Sequence, residues 1–344
     1  MKKKVMVGMS GGIDSSVTAY MLQEEGYEVE GVYLKLHNRT DGYHERNLGY
    51  IKDVAEFLGI KYHVLDLSDE FTQKVYDYFV DSYLEGSTPN PCVKCNRQIK
   101  FGAMLKFAKE HGASYLATGH YAKTDGKFFY EADDKTKDQS YFLSQVEKEA
   151  LPFMMFPLST HKKEEIIKFG EKLDKAYKRI TEKNESQEIC FVDTVYTDII
   201  KKHANIDMPG KVLDEQGNVV GEHKGYMHYT IGKRRGFTVH GAHEPHFVTK
   251  LNPKDNTIVV GKKESLEINN VEIENLNMFI EDKEFDCTVK LRYRSKSTPC
   301  HVKIEKDKGY ITLEEPAFGV AAGQLAVFYK DEKVLGSGWI KNAK

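Results

Sequence analysis

Several features that would direct the interpretation elsewhere are missing from this chain of 344 residues. No run approaches the roughly 18 apolar residues of a membrane helix, so no membrane association is expected. The opening Met1-Lys2-Lys3-Lys4 is followed too soon by Gly8 for a secretory signal, so we expect a cytoplasmic location. Five cysteines, an odd number, do not suggest a disulfide framework. The net charge of −2 gives no global sign of nucleic-acid binding, which must then be sought in local basic patches.

What is present indicates an α/β protein of two or three domains. Hydrophobic residues make up 40% of the chain and charged residues 30%, as in ordinary globular proteins. The first 120 residues alternate short apolar strands with amphipathic helices. This alternation predicts a parallel sheet with ligands beyond the carboxyl ends of its strands. The strands are expected at Val5–Val7, Val29–Leu34, Tyr62–Leu65 and Tyr115–Ala117.

The rest of the chain changes character twice. A polar helical stretch is expected from about 151 to 203, and the turn at Gln216-Gly217-Asn218 predicts a hairpin over 211–220. From residue 252 onward only short strand-like runs separated by turns are found, which predicts a small antiparallel barrel or sandwich. We therefore expect domains at 1–204, 205–264 and 265–344.

The most informative motif is a glycine loop behind the first strand. It contains Gly8, Met9, Ser10, Gly11, Gly12, Ile13, Asp14 and Ser15. Two glycines without Cβ atoms let an anion approach the backbone, and the start of the following helix favours phosphate. Asp14 is expected to hold Mg²⁺ against the phosphates, and the serine hydroxyls to add donors. No Lys follows the glycines, so this is not the common GxxxxGK[ST] loop.

The cysteines supply a second motif. Cys92 and Cys95 follow the rigid Thr88-Pro89-Asn90-Pro91, and the nearby Lys94 and Arg97 are expected to favour a thiolate. Taken alone, this C-x-x-C pair is open to interpretation as zinc ligands, a redox pair, iron–sulfur ligands or a nucleophile with a bystander. No second C-x-x-C exists to complete a structural zinc site. Cys287 alternates with Val289 and Leu291, which indicates core packing.

Together these motifs resemble the tRNA-specific 2-thiouridylases of the PP-loop ATP pyrophosphatase superfamily. Further matching segments follow in the family's order along nearly the whole chain: Ala117–Tyr121, Lys137–Tyr141, Ser186–Phe191, Gly232–Gly236 and Arg292–Arg294. The resemblance implies a nucleotide domain, a small central domain and a C-terminal β-barrel. It also implies ATP-dependent conversion of the wobble uridine of Lys, Glu and Gln tRNAs to 2-thiouridine.

The resemblance also assigns roles to residues. Cys190 would carry a persulfide delivered by a cysteine desulfurase or relay protein, and Cys95 would be the nucleophile that ends in a disulfide with it. Leu34 and Gly119 would border the adenine and ribose of ATP, and Asn90-Pro91-Cys92 would border the target base. The residues expected to contact tRNA are His120, Lys137, Asp138, Gln139, Arg292, Tyr293 and Gln324.

One position departs from the family pattern. The common form has an aspartate where this chain has Cys92, and an aspartate there would serve as acid or base. A thiol takes that role only as a thiolate. Alternatively, Cys92, Cys95 and Cys190 would together hold a [4Fe–4S] cluster, as in related sulfur-transfer enzymes.

A basic strand near the C-terminal end of the chain is expected to bind the phosphate backbone of tRNA. The segment Val289–Arg294 alternates apolar and basic residues, so Lys290, Arg292 and Arg294 are predicted to share one face. Only Glu305 opposes the basic residues between 290 and 306, and Lys233-Arg234-Arg235 form a second basic loop. For His120, a buried structural role is the alternative to tRNA contact. Two rival functions remain: a PP-loop synthetase acting on a small molecule, and an RNA-binding module without catalysis.

Overall fold

A parallel sheet forms where apolar runs alternate with amphipathic segments in the first 120 residues. The computed structural model describes residues 2–38, 41–173, 189–192 and 194–344. It places β1 (Lys4–Gly8), β2 (Glu28–Lys35), β3 (Lys61–Asp66) and β4 (Tyr115–Thr118) side by side in parallel, in the order β3-β2-β1-β4. The four strands predicted from the sequence are confirmed.

A fifth strand extends this sheet in a segment where we expected only helix. After a short hairpin of β5 (Lys123–Thr124) and β6 (Phe129–Tyr130), β7 (Met154–Met155) pairs in parallel with β4. Only two residues of β7 form the pairing, and Pro152 and Pro157 stand close on either side. A strand this short shows no alternation, which is why the sequence pattern did not reveal it.

Helices α1 (Ile13–Glu24) and α2 (Tyr43–Leu58) share a buried apolar cluster with β1 and β2. Gly59 ends α2 with a φ of 64°, a left-handed conformation that suits glycine. The other α-helices in the part of the chain that the structure describes are α3 (Ser68–Phe71), α4 (Asp77–Leu84), α5 (Pro91–Lys94), α6 (Leu105–Glu110), α7 (Ser140–Leu143), α8 (Lys163–Gly170) and α9 (Tyr196–Ile200). Segments Thr72–Tyr76 and Cys95–Met104 are π-helical. Among the described residues, no helix has the length and apolar character needed to cross a bilayer.

Short 3₁₀ segments are also found among the described residues. They are Lys148–Phe153, Pro157–Thr160, Glu171–Leu173, Tyr226–His228, Pro253–Asp255 and Lys263–Leu266.

The chain divides into two compact units. The first comprises Met1–Val75, Cys92–Ile189 and Asp331–Val334, and it contains the parallel sheet. The second comprises Tyr76–Pro91, Cys190–Lys330 and Leu335–Lys344. The division between Pro91 and Cys92 therefore falls inside the segment expected to border the target base.

The second unit contains a small four-stranded sheet. Its strands β8 (Gly210–Leu213), β9 (Val219–His223), β10 (Phe247–Asn252) and β11 (Thr257–Gly261) lie in the order β10-β11-β8-β9. β8 and β9 pair in antiparallel orientation across the turn at 214–218. The hairpin predicted over 211–220 is confirmed.

The C-terminal residues close into an antiparallel six-stranded barrel. Its strands are β12 (Glu267–Met278), β13 (Glu284–Lys290), β14 (Thr298–Glu305), β15 (Lys308–Phe318), β16 (Leu325–Lys330) and β17 (Lys333–Ala343). They lie in the order β12-β15-β14-β13-β16-β17, and β12 pairs with β17 to close the barrel. The predicted barrel is confirmed, but one detail was wrong: β13 ends at Lys290, so residues 291–297 form a turn rather than the end of a strand.

Candidate active site

The glycine loop joins β1 to α1 at the carboxyl end of the strand. Gly11 has a φ of 75°, and a Cβ atom there would lie 3.0 Å from the backbone oxygen of Asn47. The left-handed backbone and the close approach both require glycine. Gly12, the N-cap of α1, has no side chain with which to cap the helix. The N–H groups in the first turn of α1 therefore have no side-chain cap from Gly12, and together with the helix dipole they favour an anion at the glycine loop.

The serine hydroxyls of the loop divide into two groups. The Ser15 hydroxyl donates to the Gly12 carbonyl (3.0 Å) and accepts from the Ser10 N–H (3.2 Å). The Ser16 hydroxyl also donates to the Gly12 carbonyl (3.0 Å), and both Ser15 and Ser16 are buried. The protons of these two hydroxyls stabilise the loop in the structure, and their expected role as donors to a ligand stays a prediction. Ser10 is exposed and stays suited to contact a ligand.

Asp14 is bound by two side chains that lie far away in sequence. The Lys163 ammonium lies 2.7 Å from Asp14 Oδ1, and the Tyr121 hydroxyl donates to the same oxygen at 2.9 Å. Lys163 opens α8, and its side chain is only 12% exposed. The loop therefore has a neighbouring cation although no Lys follows its glycines. Sequence analysis missed Lys163 because no local motif marks it.

The carboxyl ends of β2 and β4 contribute Leu34 and Gly119 at the same edge of the sheet. β1 lies between these strands, with Gly8 opposite Val32 on one side and Thr118 on the other. A Cβ atom on Gly119 would lie 2.9 Å from the Asp14 carbonyl carbon and 3.0 Å from the Ser15 nitrogen. Gly119 is therefore needed for close packing against the start of α1. This edge is where the sequence analysis placed the nucleotide.

The two cysteines of the C-x-x-C pair lie on one helical stretch. Cys92 is in α5 and Cys95 begins the π-helical segment that follows. Burial raises the pKa of the Cys92 thiol, and the nearby Lys100 ammonium only partly opposes this. The expected thiolate-favouring role of Arg97 is not found, since its guanidinium pairs with Glu147 (Nε–Oε1 2.8 Å). Cys92 is therefore a protonated thiol at neutral pH.

Lys100 also lies beside His120. The Lys100 ammonium is 3.3 Å from Nε2 of His120, and Nδ1 of His120 is 2.7 Å from the Thr118 hydroxyl. Burial and the positive charge of Lys100 hold the pKa of His120 well below its usual range. The imidazole is thus neutral, and Lys100 donates to it. His120 is only 8% exposed, which favours the structural role over direct tRNA contact.

The Lys137-Asp138-Gln139 segment is built into the first unit. Asp138 is buried and accepts from the Ala132 N–H (2.9 Å) and the Ser140 hydroxyl (2.8 Å). Gln139 accepts from the Tyr121 N–H at 3.0 Å. Asp138 therefore orders its own loop. Its predicted contact with tRNA was based on resemblance alone, and its burial argues against it.

In the second unit, the segment before the cysteines is held against the end of the barrel. The Thr88 N–H donates to the Ala322 carbonyl (2.9 Å), and the Gln324 amide donates to the carbonyls of Thr88 (3.0 Å) and Pro89 (3.2 Å). A Cβ atom on Gly323 would lie 2.8 Å from the Thr88 oxygen. Asn90, 7% exposed, donates its N–H to the Tyr78 hydroxyl (3.3 Å). Gln324 thus positions this segment.

Comparison with known proteins identifies the family. Three family models match in succession: a tRNA methyl transferase HUP domain at residues 3–194, a tRNA methyl transferase PRC-barrel domain at 197–262 and an aminomethyltransferase beta-barrel domain at 266–340. A protein of Aliarcobacter butzleri (strain RM4018) named tRNA-specific 2-thiouridylase MnmA 1 is 80% identical over 343 residues, covering 100% of this chain and 99% of that protein. The chain belongs to the tRNA-specific 2-thiouridylase family.

Other relatives extend the comparison. The tRNA-specific 2-thiouridylase MnmA of Sulfurimonas denitrificans (strain ATCC 33889 / DSM 1251) is 58% identical over 342 residues, covering 99% of this chain and 100% of that protein. Among solved structures, a 4-thiouridine synthetase in complex with RNA and ATP is 19% identical, with a TM-score of 0.40 over 53% of this chain and 43% of that one. The resemblance to 2-thiouridylases seen in the sequence is confirmed.

The second cysteine expected to act in this 2-thiouridylase lies in the other unit. Cys190 is exposed, and its neighbour Phe191 packs edge-on against Phe79 with ring centroids 5.1 Å apart. Residues 186–188 of the same motif lie outside the described residues. The roles of Cys95 and Cys190 remain predictions.

The basic segment expected to grip tRNA has a different form from the predicted strand face. The Arg292 guanidinium donates to the carbonyl oxygen of Gly319 and, at 3.4 Å, to that of Ile231. Lys303 pairs with Glu305 (2.8 Å), and acidic side chains of β13 lie beside β14. Counting charges along one segment missed the acids on the neighbouring strand. Tyr293 lies partly exposed in the turn, and the Lys233-Arg234-Arg235 loop is exposed.

Proposed function

We propose that this 2-thiouridylase uses ATP to convert the wobble uridine of tRNA to 2-thiouridine, with Lys, Glu and Gln tRNAs as expected substrates. The C2 oxygen of uracil is a poor leaving group, and transfer of AMP to it makes a good one. The observation that carries this proposal is the glycine loop at the start of α1, with the Lys163–Asp14 pair beside it (2.7 Å). Such a site suits a nucleoside triphosphate that must lose pyrophosphate.

The adenylation step is assigned to the first unit. The N–H groups at the start of α1 and the Ser10 hydroxyl would bind the phosphates. Lys163 would turn from Asp14 towards the departing pyrophosphate, whose negative charge it would stabilise. Asp14 fits Mg²⁺, because this ion needs only one or two carboxylates when phosphates supply other ligands. The ion would neutralise the charge of the phosphates. Leu34 and Gly119 would border the adenine and ribose.

The target uridine is assigned to the Asn90-Pro91-Cys92 segment. To reach C2, an enzyme must extrude the base from its stack, which requires a rigid surface to receive it. Hydrogen bonds from Thr88 and Gln324 support this role by fixing the backbone of the segment. With the pKa of Cys92 raised, its thiol would act as a neutral donor rather than as the base that an aspartate would provide.

Sulfur transfer is assigned to Cys190 and Cys95. In this scheme the terminal sulfur of a Cys190 persulfide attacks C2, and AMP leaves. The Cys95 thiolate then attacks the inner sulfur, which releases the thiolated base and forms a Cys95–Cys190 disulfide. If Cys95 attacks first, hydrosulfide is freed to attack C2, and the same disulfide results. A two-electron reductant and a new sulfur atom, delivered by a cysteine desulfurase or relay protein, complete the cycle.

A [4Fe–4S] cluster on Cys92, Cys95 and Cys190 is the alternative route. Within the ranges that the structure covers, no three His, Cys, Asp or Glu side chains lie together in a way that could hold a metal ion. Cys92 and Cys95 belong to the first unit and Cys190 to the second, and the cluster stays an alternative to the disulfide route. Anaerobic purification with iron and sulfide analysis separates the routes: an iron-free protein that turns over excludes the cluster.

Nucleoside mass spectrometry of tRNA from cells lacking the protein tests the proposed activity. We expect loss of 2-thiouridine from the wobble position of Lys, Glu and Gln tRNAs and its return when the gene is restored. Pyrophosphate release tests the rivals: it depends on tRNA for a thiouridylase and on a small substrate for a synthetase, and it is absent for a binding module. Unchanged 2-thiouridine in the deleted strain would refute the proposal.

A further inference from the structure

Two cysteines that the proposed chemistry does not use face each other inside the barrel. β13 and β14 pair in antiparallel orientation with Cys287 directly opposite Cys300. Their Sγ atoms are 3.6 Å apart. Cys300 is 1% exposed, whereas Cys287 is only partly buried. Neither residue has a cysteine near it in the sequence, so the strand register alone brings them together.

We propose that Cys287 and Cys300 form an oxidation site that closes to a disulfide when the protein meets a two-electron oxidant of the peroxide class. The Cys287 sulfur attacks a peroxide oxygen, the O–O bond breaks, water leaves and a sulfenic acid forms. The Cys300 sulfur then attacks that sulfenic sulfur and expels a second water. In sum, two thiols lose two protons and two electrons, and one hydrogen peroxide becomes two waters.

The backbone geometry suits this bond. Directly opposed residues of an antiparallel pair have Cβ atoms about 4.5–5.5 Å apart, close to the 3.5–4.5 Å spacing of disulfides. The sulfurs are already in contact, so closure needs only a small approach of two side chains within one hairpin. The order of attack follows from exposure: solvent reaches Cys287, and the buried Cys300 resolves the sulfenic acid.

The disulfide would close a loop that contains the turn between β13 and β14 of the barrel. Residues 288–299 lie between the two cysteines, and they include the turn that holds Arg292. Arg292 ties this turn to the carbonyl oxygens of Gly319 and Ile231. Oxidation would thus add a disulfide bond between the two strands that flank this turn, which in the reduced protein is held by the hydrogen bonds of Arg292. The site depends on barrel geometry alone, so it stands independently of the proposed thiolation.

Peptide mapping of the full-length wild-type protein tests the proposal. The reduced protein is treated with hydrogen peroxide, blocked with N-ethylmaleimide in denaturant and digested with trypsin without reduction. Cleavage after Lys283, Lys290, Lys296 and Lys303 puts the cysteines on separate peptides, 284–290 and 297–303. We expect these peptides to appear joined, with two hydrogens fewer than their sum, and to separate on treatment with dithiothreitol.

Matched variants control the assignment. Cys190→Ser should leave the joined peptides unchanged, whereas Cys287→Ser should abolish them. Because the mapping is done on the wild-type chain, the result does not depend on the folding of a variant. If peroxide leaves both thiols open to N-ethylmaleimide, or converts each to a separate sulfinic acid or to a bond with another cysteine, the proposal is overturned.

Discussion

The two units use their polar side chains in different ways. In the first unit, Lys163 and Tyr121 bind the side chain of Asp14, the residue proposed to hold Mg²⁺. In the second unit, the side chains expected to grip tRNA donate to backbone carbonyls: Arg292 to Gly319, Gln324 to Thr88 and Lys233 to His228. At these positions the first unit surrounds a carboxylate with a cation and a hydroxyl donor, whereas the second unit fixes the shape of loops.

This difference predicts separate kinetic signatures. Changes in the first unit should lower the rate of a chemical step, because they remove charge stabilisation that is needed in the transition state. Changes to the carbonyl-binding side chains should act mainly through the binding of tRNA. Cys190 belongs to the second unit by its contacts, yet the proposed function gives it a role in the chemical step. It is therefore the residue at which the contrast between the two units is tested most directly.

The largest effect is expected for the two cysteines to which sulfur transfer is assigned in the proposed function. Cys95→Ala and Cys190→Ala should each lower single-turnover thiolation by about 10³-fold or more, because one residue carries the sulfur and the other releases it. The measurement is 2-thiouridine formed per tRNA, by nucleoside mass spectrometry. Cys287→Ala, a cysteine change in the barrel, is the control and should stay near wild type. Full activity of Cys190→Ala would remove that residue from the mechanism and leave the comparison between units intact.

A smaller loss is expected when the cation beside the glycine loop is removed. Lys163→Met should lower tRNA-dependent pyrophosphate release by about 10²-fold, the usual cost of losing one group that stabilises developing charge. The KM for tRNA should change little. Lys162→Met removes the exposed lysine next to it and should leave the rate unchanged. Equal rates for the two variants would show that Lys163 serves only to order Asp14.

Loss of a carbonyl-binding side chain in the second unit should be milder. Gln324→Ala removes the hydrogen bonds to Thr88 and Pro89, each worth about 1 kcal/mol. The two bonds together amount to about 2 kcal/mol, so we expect a fall of up to about 30-fold in kcat/KM for tRNA, mostly through KM. Gln216→Ala, at an exposed turn of the same unit, should be neutral. A pure kcat effect would place Gln324 with the chemical residues and break the comparison.

The same contrast explains what could be predicted from the sequence. Gly11 and the strand before it are a local pattern, since backbone conformation and phosphate affinity arise from consecutive residues. The Lys163–Asp14 pair joins residues 149 positions apart, and nothing in either neighbourhood indicates the other. The same holds for Cys287 and Cys300, which only the strand register brings together.

The errors in the second unit have a related cause. Alternation from Val289 to Arg294 is typical of a strand, but the chain turns at Leu291. Arg292 then binds carbonyl oxygens, and the Lys290 ammonium lies over the ring of Tyr329. The acidic side chains that offset the positive charges of β14 lie on the neighbouring strand β13, so a count of charges along one segment does not include them. Sequence patterns describe an element well, whereas its neighbours decide its electrostatics.

The smallest effect concerns Lys100, which the sequence did not single out. Its positive charge lowers the pKa of both Cys92 and His120, while burial raises the first and lowers the second. Lys100→Met removes a cation that favours the thiolate and opposes the imidazolium, so both pKa values should rise. At pH 8, below the raised pKa of Cys92, alkylation by iodoacetamide should slow by about threefold because less thiolate is present.

Two measurements on the Lys100→Met variant test the two predicted pKa changes separately. Peptide mapping follows alkylation at Cys92, and the pH dependence of the His120 ring signals in NMR follows its protonation. Lys106→Met, which removes an exposed lysine a few residues further along the chain, should change neither. An unchanged His120 pKa together with slower alkylation would mean that Lys100 acts on Cys92 through local structure instead of charge. In that case the first unit would position its thiol much as the second unit positions its loops, and the distinction between the units would fail at this residue.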